Sequence, residues 1–167
     1  MERSDGRTVL VTGGYGFIGS HLVERLLAQG ARVRGLLRPP RSREVFSGRP
    51  VEIVRGDLRD EGALMEAVRG VDRVYHVAGL IAARGPAEFR AVNRDGTRRL
   101  AECVRRGAPR CRRFVYVSSQ AAAGPSRDGV PVDESAPGRP VTDYGRSKLE
   151  GEHALVQALG PVPCTVV

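Results

Sequence analysis

Short apolar runs and longer amphipathic segments alternate along nearly the whole chain. The apolar runs are rich in β-branched residues, and six of them predict β-strands, over residues 7–14, 31–37, 51–57, 71–79, 111–119 and 161–167. Apolar positions at helical spacing predict helices over residues 16–30, 59–70, 87–107 and 142–160. Because the strands are continuously apolar, we expect a parallel sheet with helices on both faces. The pattern therefore predicts a doubly wound α/β fold of three layers.

One stretch interrupts this alternation. Residues 120–141 are rich in glycine and proline and predict a loop. No linker-like composition divides the remainder, and 167 residues are close to the size of a single domain. We therefore predict one domain over residues 1–167, long enough to bury a core.

The net charge of the chain is +8, and nearly all of the positive charge comes from arginine. Such a balance is compatible with nucleic acid or with an anionic ligand. The arginines are scattered, however, and aromatic residues are not interleaved with them as in single-strand-binding surfaces. We therefore expect a solvated basic surface and no nucleic-acid partner.

Cysteine and histidine are sparse and have no spacing typical of metal ligands. The cysteines, at positions 103, 111 and 164, predict reduced thiols, as in a cytoplasmic protein. The histidines, at positions 21, 76 and 153, are isolated, so no metal site is predicted. The amino-terminal segment has acidic residues and only a short apolar run, which predicts neither a signal peptide nor a membrane span.

Three glycines, Gly13, Gly16 and Gly19, lie where the first predicted strand passes into the first predicted helix. Glycine adopts a positive φ without strain, and its missing side chain lets a pyrophosphate approach the backbone. The amide groups at the start of the following helix favour an anion, because the helix dipole is positive there. Strand, glycine turn and helix thus occur in the order that a dinucleotide-binding motif requires.

The segment TGGYGFIGSHL, residues 12–22, resembles the cofactor signature of the extended short-chain dehydrogenase/reductase family, which includes nucleotide-sugar epimerases and dehydratases. Its glycines have the spacing Gly-x-x-Gly-x-x-Gly, as in that family. The resemblance implies a Rossmann-type fold and an enzyme that uses NAD or NADP. It also implies that the cofactor is bound by Gly13, Gly16, Phe17, Ile18 and Gly19.

Other landmarks of the family follow in the same order along the chain. The resemblance implies that Asp57, after the third strand, contacts the adenine and that Leu58 lies against its ring. Ala78, in the segment HVAG after the fourth strand, is implied to line the cofactor. Asn93, in the long predicted helix, matches a structural asparagine that supports the catalytic site.

Tyr144 and Lys148 complete a Tyr-x-x-x-Lys pair and share one face of the last predicted helix. A tyrosine hydroxyl has an unperturbed pKa of about 10, so a neighbouring cation is needed to favour the phenolate near neutral pH. The resemblance implies that Tyr144 is the general acid/base, while Lys148 lowers its pKa and holds the nicotinamide ribose. Of the two serines ending the fifth strand, we expect Ser119 to hydrogen-bond the substrate oxygen and Ser118 to support the strand end.

The form of the cofactor depends on the residues after the second strand. An acidic residue usually holds the ribose of NAD at this position, and none is present. Arg38 lies where the dihydroflavonol-reductase branch of the family has an arginine. Its guanidinium group can pair with a 2′-phosphate, with Arg41 or Arg43 assisting, so we predict a preference for NADP over NAD.

The resemblance implies hydride transfer between a nicotinamide and a secondary alcohol or ketone. The segment SSQAAAGP, residues 118–125, resembles the hydroxysteroid-dehydrogenase and ketone-reductase branches and lacks the acid pair of the sugar dehydratases. A nucleotide-sugar epimerase of the same family stays open as an alternative. A catalytically inactive NADP-binding sensor or interaction module is the alternative from another class, and it would not need the set of Ser119, Tyr144 and Lys148.

Members of the extended family continue past the sixth strand into a further strand and a smaller substrate domain. The sequence ends within its predicted sixth strand. We therefore expect a sheet that is incomplete at its C-terminal end, no substrate domain, weak cofactor binding and slow or no turnover.

The family also dimerises through two long helices. The resemblance implies a homodimer contact through residues 86–106 and 142–159. The apolar positions on these segments fit the core of one chain as well as an interface, and they include Leu100, Val104, Leu149 and Leu155.

Overall fold

The computed structural model describes residues 6–39, 46, 48–126 and 129–167. Its centre is a sheet of six parallel strands: β1 Thr8–Thr12, β2 Arg32–Leu37, β3 Glu52–Arg55, β4 Arg73–His76, β5 Arg113–Tyr116 and β6 Cys164–Val166. The strands lie in the order β3-β2-β1-β4-β5-β6. The direction of winding reverses between β1 and β4, which confirms the doubly wound sheet predicted from the sequence.

Helices connect the strands on both faces of the sheet. They are α1 Phe17–Ala28, α2 Glu61–Val68, α3 Pro86–Phe89, a π-helical turn Arg90–Arg94, α4 Asp95–Gly107, α5 Gln120–Ala123 and α6 Asp143–Leu159. On one face, Val23 of α1 packs with Phe46 against β1 and β2. On the other face, α2, α4 and α6 bury Leu64, Leu100 and Leu155 against the sheet, and Cys164 of β6 packs at the border of this cluster. The three layers of the predicted fold are therefore confirmed.

The sequence did not decide whether four apolar positions belong to the core or to a dimer interface, and three of them belong to the core. Leu100, Val104 and Leu155 are all fully buried within the single chain. They fill the space between α4, α6 and the sheet, so they are not available to a second copy. Leu149 is only partly buried, and on the same helix Val156 is exposed.

The predicted helix over residues 87–107 is not a continuous α-helix. It begins one residue earlier, as α3, and it passes through the π-helical turn before α4 begins at Asp95. A π turn holds one more residue than an α turn, and a 3.6-residue pattern of apolar positions contains no signal for it. The turn carries Asn93, whose side chain is buried.

The predicted loop over residues 120–141 begins with a short helix. Helix α5 starts directly after Ser119, whose side chain caps it by accepting a hydrogen bond from the backbone amide of Ala121 at 3.2 Å. The strands before it are also shorter than predicted, because β4 ends at His76 and β5 ends at Tyr116. Residues 77–79 and 117–119 therefore form loops beyond the sheet.

Three polar side chains lie in one row across the carboxyl ends of adjacent strands. Thr12 of β1 is in register with His76 of β4, and His76 is in register with Tyr116 of β5. Open α/β sheets bind ligands outside the carboxyl ends of their strands, where the winding reverses. The row therefore marks the edge at which a site is expected.

Two features are absent from the described residues. None of their helices is both long enough and apolar enough to cross a membrane. Nor do their histidine, cysteine, aspartate and glutamate side chains form a group that could hold a metal ion.

Candidate active site

The glycine turn joins β1 to α1 at the carboxyl edge of the sheet. Gly13 has a φ of +70°, and a Cβ there would lie 2.7 Å from the backbone nitrogen of Ala78. A Cβ on Gly19 would overlap the carbonyl oxygen of Gly13 and lie 2.8 Å from its carbonyl carbon. Both positions therefore require glycine, one for its backbone angle and both for close packing. The turn is closed by a hydrogen bond of 3.0 Å from the Gly16 amide to the Gly13 carbonyl.

The first turn of α1 faces outward from this glycine turn. Gly16 is the N-cap residue, no side chain caps it, and the first helical turn has no acidic residue. Phe17 and Ile18 follow, and the Phe17 side chain is 84% exposed. Amide groups at a helix start that lack a side-chain acceptor suit a bound phosphate, because they are unsatisfied and the helix dipole is positive there.

A cavity of about 360 Å³ opens beside the ends of β2 and β3. Its lining brings together Arg38 and Asp57, which the sequence analysis assigned to the 2′-phosphate and to the adenine of the cofactor. Arg59 is also in the lining, and its guanidinium group holds Asp57 Oδ2 at 2.6 Å. This hydrogen bond keeps the pKa of the Asp57 carboxyl below its usual value. Arg41 and Arg43 lie outside the described residues.

Two other predicted cofactor residues lie at different depths. Ala78 is partly buried, and its amide donates to Thr12 Oγ1 at 3.3 Å, beside the glycine turn. Leu58 is only 6% exposed and belongs to the hydrophobic core, where it packs on Gly96. The structure thus places Ala78 at the carboxyl edge of the sheet, whereas Leu58 is mainly a core residue. A contact of Leu58 with an adenine ring stays a prediction.

The two serines after β5 have different partners. Ser118 Oγ donates a short hydrogen bond to the carboxylate of Glu152 on α6. Ser119 Oγ accepts from the Ala121 amide, and among the described residues no acceptor is found for its own proton. The Ser118 hydroxyl is therefore engaged within the protein, whereas the Ser119 hydroxyl can still donate.

Helix α6 contacts the segment around Ser119 on both of its sides. Before the serine, Lys148 Nζ donates to the Val117 carbonyl at 2.8 Å. After it, the backbone of Gly145 lies so close to Ala121 that a Cβ on Gly145 would overlap the Ala121 carbonyl oxygen. Helix α6, which also carries Tyr144, therefore packs against the segment that carries Ser119. That Ser119, Tyr144 and Lys148 form one catalytic site stays a prediction.

Lys148 is the only lysine in a sequence with 27 lysine and arginine residues. Its side chain is 4% exposed, and its ammonium group lies 4.1 Å from the centroid of the Tyr116 ring. Burial lowers the pKa of Lys148 to about 8, and the nearby Glu152 carboxylate opposes this shift. The ammonium group is therefore still mostly charged at neutral pH, but it loses its proton at a much lower pH than an ordinary lysine.

Tyr144 lies half-buried in the first turn of α6. Its ring meets the ring of Phe89 with centroids 6.0 Å apart, so the aromatic ring is held by α3. Within the described residues no hydrogen bond is found for its hydroxyl group. A phenol that is fixed by its ring and has no partner for its oxygen is well placed to exchange a proton with a ligand.

Asn93 makes three hydrogen bonds, all to other parts of the protein. Its Oδ1 accepts from the Leu80 amide at 2.8 Å, and its Nδ2 donates to the Leu80 carbonyl at 3.0 Å and to Ser147 Oγ at 2.9 Å. The side chain thus joins the loop after β4 to the residue before Lys148. That it supports a catalytic site, as the resemblance implies, stays a prediction.

Several residues at this edge were not found from the sequence. Arg59 follows Asp57 by two residues, and Glu152 follows Lys148 by one helical turn, so local spacing could have suggested both. His76 could not be recognised in this way. Its partners Thr12 and Thr97 are 64 and 21 residues away, and no local pattern relates them.

The low pKa of Lys148 predicts how stability depends on pH. Between pH 8 and the ordinary lysine value of 10.5, the unfolded chain holds a proton that the folded chain has lost. Raising the pH through this window therefore favours the folded state at this residue. Relative to Lys148→Met, the wild-type free energy of unfolding should rise by about 2 kcal/mol between pH 8 and pH 10.

The comparison with Lys148→Met is needed because other groups titrate in the same window. Burial raises the pKa of the Cys103 and Cys111 thiols, so their contribution to the free energy of unfolding falls as the pH rises. This fall is the same in the wild type and in Lys148→Met. Urea unfolding at several pH values gives the difference. In a sample labelled with ¹⁵N-lysine, the side-chain signal comes from one residue and should titrate near pH 8. A signal that titrates near 10.5 would contradict the prediction.

Comparison with known proteins identifies the family of the chain. A sequence profile of the NAD dependent epimerase/dehydratase family matches residues 9–160. Sterol demethylase protein B of Methylococcus capsulatus is 37% identical over 165 residues, 96% of this chain and 50% of that protein. A 4-hydroxy-2-methyl-3-oxo-4-farnesyl-3,4-dihydroquinoline-1-oxide ketoreductase of Stigmatella aurantiaca is 35% identical over 94% of this chain and 47% of its own length.

A solved structure extends the likeness to three dimensions. A short-chain dehydrogenase/reductase superfamily protein from Agrobacterium tumefaciens, crystallised with bound NAD, superimposes with a TM-score of 0.81 at 35% identity. The superposition covers 96% of this chain and 48% of that one. The chain spans about half the length of the curated relatives it matches. It belongs to the NAD-dependent epimerase/dehydratase family.

Proposed function

We propose that the protein is an NAD(P)-dependent oxidoreductase that transfers hydride between a nicotinamide and a secondary alcohol or ketone. The observation that carries the proposal is the contact of α6 with the chain on both sides of Ser119, through Lys148 and Gly145. This contact supports a site at the carboxyl edge of the sheet that combines the Ser119 hydroxyl, the Tyr144 phenol and the Lys148 ammonium group. A redox-inactive sensor would need none of the three.

The chemistry follows from the partners of each group. Ser119 donates its proton to the substrate oxygen and so stabilises negative charge that develops there. The Tyr144 hydroxyl delivers a proton to that oxygen in reduction and removes one in oxidation. The Lys148 ammonium group favours the phenolate form of Tyr144 between turnovers. A bound nicotinamide supplies or accepts the hydride.

The residues at the carboxyl edge fit a dinucleotide. The uncapped start of α1, with exposed Gly16, would hold the pyrophosphate. The cavity between Arg38 and Asp57 would hold the adenosine, with Arg38 facing a 2′-phosphate. Only one of the three N–H bonds of Lys148 is used by Val117, and the others would reach the ribose hydroxyls.

Calorimetric titration of the chain with NADP, NADPH, NAD and NADH tests the proposal. Binding of at least one form would support the cofactor site, and oxidation of the bound reduced form by one member of a panel of ketones would support the reaction. If a chain shown to be folded by circular dichroism binds none of the four, the proposed function fails.

Replacing Arg38 by aspartate should reverse the preference between cofactors. A charge-assisted hydrogen bond to phosphate is worth about 1.5–3 kcal/mol, so the affinity for NADPH should fall by roughly 10- to 100-fold. The affinity for NADH should stay equal or improve, because a carboxylate accepts from the ribose 2′-hydroxyl. Fluorescence titration with both reduced cofactors measures the two affinities.

Arg98→Asp is the matched control for this change. It alters the net charge equally, but Arg98 lies on α4, where it pairs with Glu102 at 2.7 Å, and it is not in the cavity lining. Equal loss of affinity for both cofactors in Arg38→Asp, or the same loss in Arg98→Asp, would show that Arg38 does not read the 2′-phosphate.

A nucleotide-sugar epimerase remains the second candidate, because the profile that matches the chain describes epimerases. An epimerase would return the hydride to the same molecule, so its cofactor would show no net change. Incubation with UDP-glucose and catalytic NAD, followed by separation of the sugar nucleotides, distinguishes the two. A homodimer through α4 and α6 stays a proposal, which the molar mass in solution would test.

A further inference from the structure

A chain of hydrogen bonds runs through the interior between the glycine turn and the π-helical turn. His76 lies at its centre and is fully buried. Its Nδ1 lies 2.6 Å from Thr12 Oγ1, and its Nε2 lies 2.9 Å from Thr97 Oγ1. Thr97 Oγ1 lies 2.6 Å from the carbonyl oxygen of Asn93, and Thr12 Oγ1 accepts from the Ala78 amide at 3.3 Å.

The direction of each hydrogen bond follows from the chemistry of the groups. A carbonyl oxygen can only accept, so the single proton of Thr97 is donated to Asn93. Thr97 Oγ1 then has only lone pairs to offer, and His76 must donate to it from Nε2. In a neutral ring Nδ1 has no proton, so it accepts the proton of Thr12. The ring is therefore fixed as the tautomer protonated at Nε2.

We infer that His76 is a positioning residue that connects the glycine turn to Asn93, and through Asn93 to helix α6. The inference rests on the proposed function for what the two ends hold. At one end, Thr12 precedes Gly13 and accepts from Ala78. At the other end, Asn93 holds Ser147, the residue before Lys148. The hydrogen bonds of His76 join the two ends through the interior of the sheet.

The surroundings of His76 keep it out of proton transfer. Its ring stacks on Tyr116 with centroids 5.3 Å apart, and Phe114 meets it at 6.0 Å. Lys148 is the charged group that faces it, and Glu152 lies beyond on the same helix as Lys148. Burial and the Lys148 charge lower the pKa of His76 to about 3. The ring therefore keeps one charge state and one tautomer across the working range of pH.

The tautomer is tested directly by nuclear magnetic resonance on a sample labelled with ¹⁵N-histidine. Three histidines give three ring systems, and His76→Gln assigns the buried one. We expect a ring protonated at Nε2 whose signals do not change between pH 8 and pH 5. A ring protonated at Nδ1, or one that titrates in this range, would overturn the inference.

The connection is tested by Thr97→Val, which keeps the shape of the side chain and removes the acceptor of His76. Thr97→Ser is the matched control, since it keeps the hydroxyl group. We expect Thr97→Val to increase amide hydrogen exchange at Ala78 by about tenfold, although Ala78 lies at the far end of the chain of hydrogen bonds. Thr97→Ser should change it by less than about twofold.

Val68→Ala controls for loss of stability alone. Val68 is buried in α2 against the same core, and its truncation lowers the melting temperature without touching these hydrogen bonds. The exchange at Ala78 is compared after each variant is corrected for its loss of global stability. If it then increases equally in Val68→Ala and Thr97→Val, the hydrogen bonds of His76 do not connect the two ends. No part of this measurement requires a cofactor.

The cofactor enters only in the last measurement. We expect Thr97→Val to weaken binding of the preferred reduced cofactor by about tenfold, while Thr97→Ser and Val68→Ala leave it unchanged. Binding that is equally strong in Thr97→Val would overturn the role in cofactor positioning. A wild-type chain that shows the Nε2 tautomer and the coupled exchange but binds no nicotinamide dinucleotide would instead overturn the proposed function.

Discussion

Tyr144→Phe is expected to lower the rate of hydride transfer by a factor of about 10²–10⁴, while the affinity for the cofactor changes by less than about threefold. The change removes one oxygen atom. The ring should keep its contact with Phe89, and the Tyr144 hydroxyl makes no hydrogen bond within the described residues. Folding should therefore be unaffected, and only the proton transfer should be lost.

Single-turnover oxidation of bound NADPH or NADH by a ketone substrate measures this effect. Enzyme in excess over cofactor allows even slow transfer to be followed. Tyr75→Phe is the matched control, because Tyr75 lies on β4 and packs against the core on the α1 side of the sheet. A Tyr144→Phe rate within tenfold of the wild-type rate would remove Tyr144 from its role as acid/base.

Gly19→Ala is expected to lower the free energy of unfolding by about 3 kcal/mol, near the upper end for an overpacked site. The added methyl group would overlap the Gly13 carbonyl oxygen and lie 2.8 Å from Gly14 Cα. These neighbours are backbone atoms and cannot move aside as a flexible side chain can. The glycine turn must shift, so we also expect cofactor affinity to fall at least a hundredfold. Urea unfolding and fluorescence titration measure the two effects.

Gly62→Ala makes the same chemical change where there is room for it. Gly62 lies in α2, and a Cβ there would meet only Asp60 Oδ1, at 3.4 Å. Alanine favours a helix over glycine by about 1 kcal/mol, so this variant should be equally stable or more stable. If Gly19→Ala binds cofactor as well as Gly62→Ala does, the close packing of the glycine turn does not matter for binding.

The order of strands and helices could be predicted from the sequence because it depends on local signals. Apolar periodicity separates strands from helices, and glycine marks the turn at Gly13 and Gly19. In the structure Gly13 directly follows β1 and Gly19 lies in the first turn of α1, and the doubly wound sheet is confirmed. The common face of Tyr144 and Lys148 also follows from spacing alone, and both lie in α6. Their chemical roles stay predictions.

The parts that could not be predicted depend on contacts between distant segments. The π-helical turn turns Asn93 toward Leu80 and Ser147, which are 13 and 54 residues away. Ser118 is bound by Glu152, 34 residues later, a contact that the sequence did not reveal. No window of sequence contains both partners of such a pair. Burial of the single lysine also comes from packing between α6 and the sheet, which its charged neighbours in sequence did not suggest.

That single lysine also makes the chain a reporter of its own opening. A protease that cleaves only after lysine has one peptide bond to attack, between residues 148 and 149, and that bond lies inside α6 beside a buried side chain. The protease can cleave this bond only after α6 unwinds, so the rate of cleavage reports how often the helix opens. Two fragments would appear and no others, and anything that binds where Lys148 lies would slow their appearance.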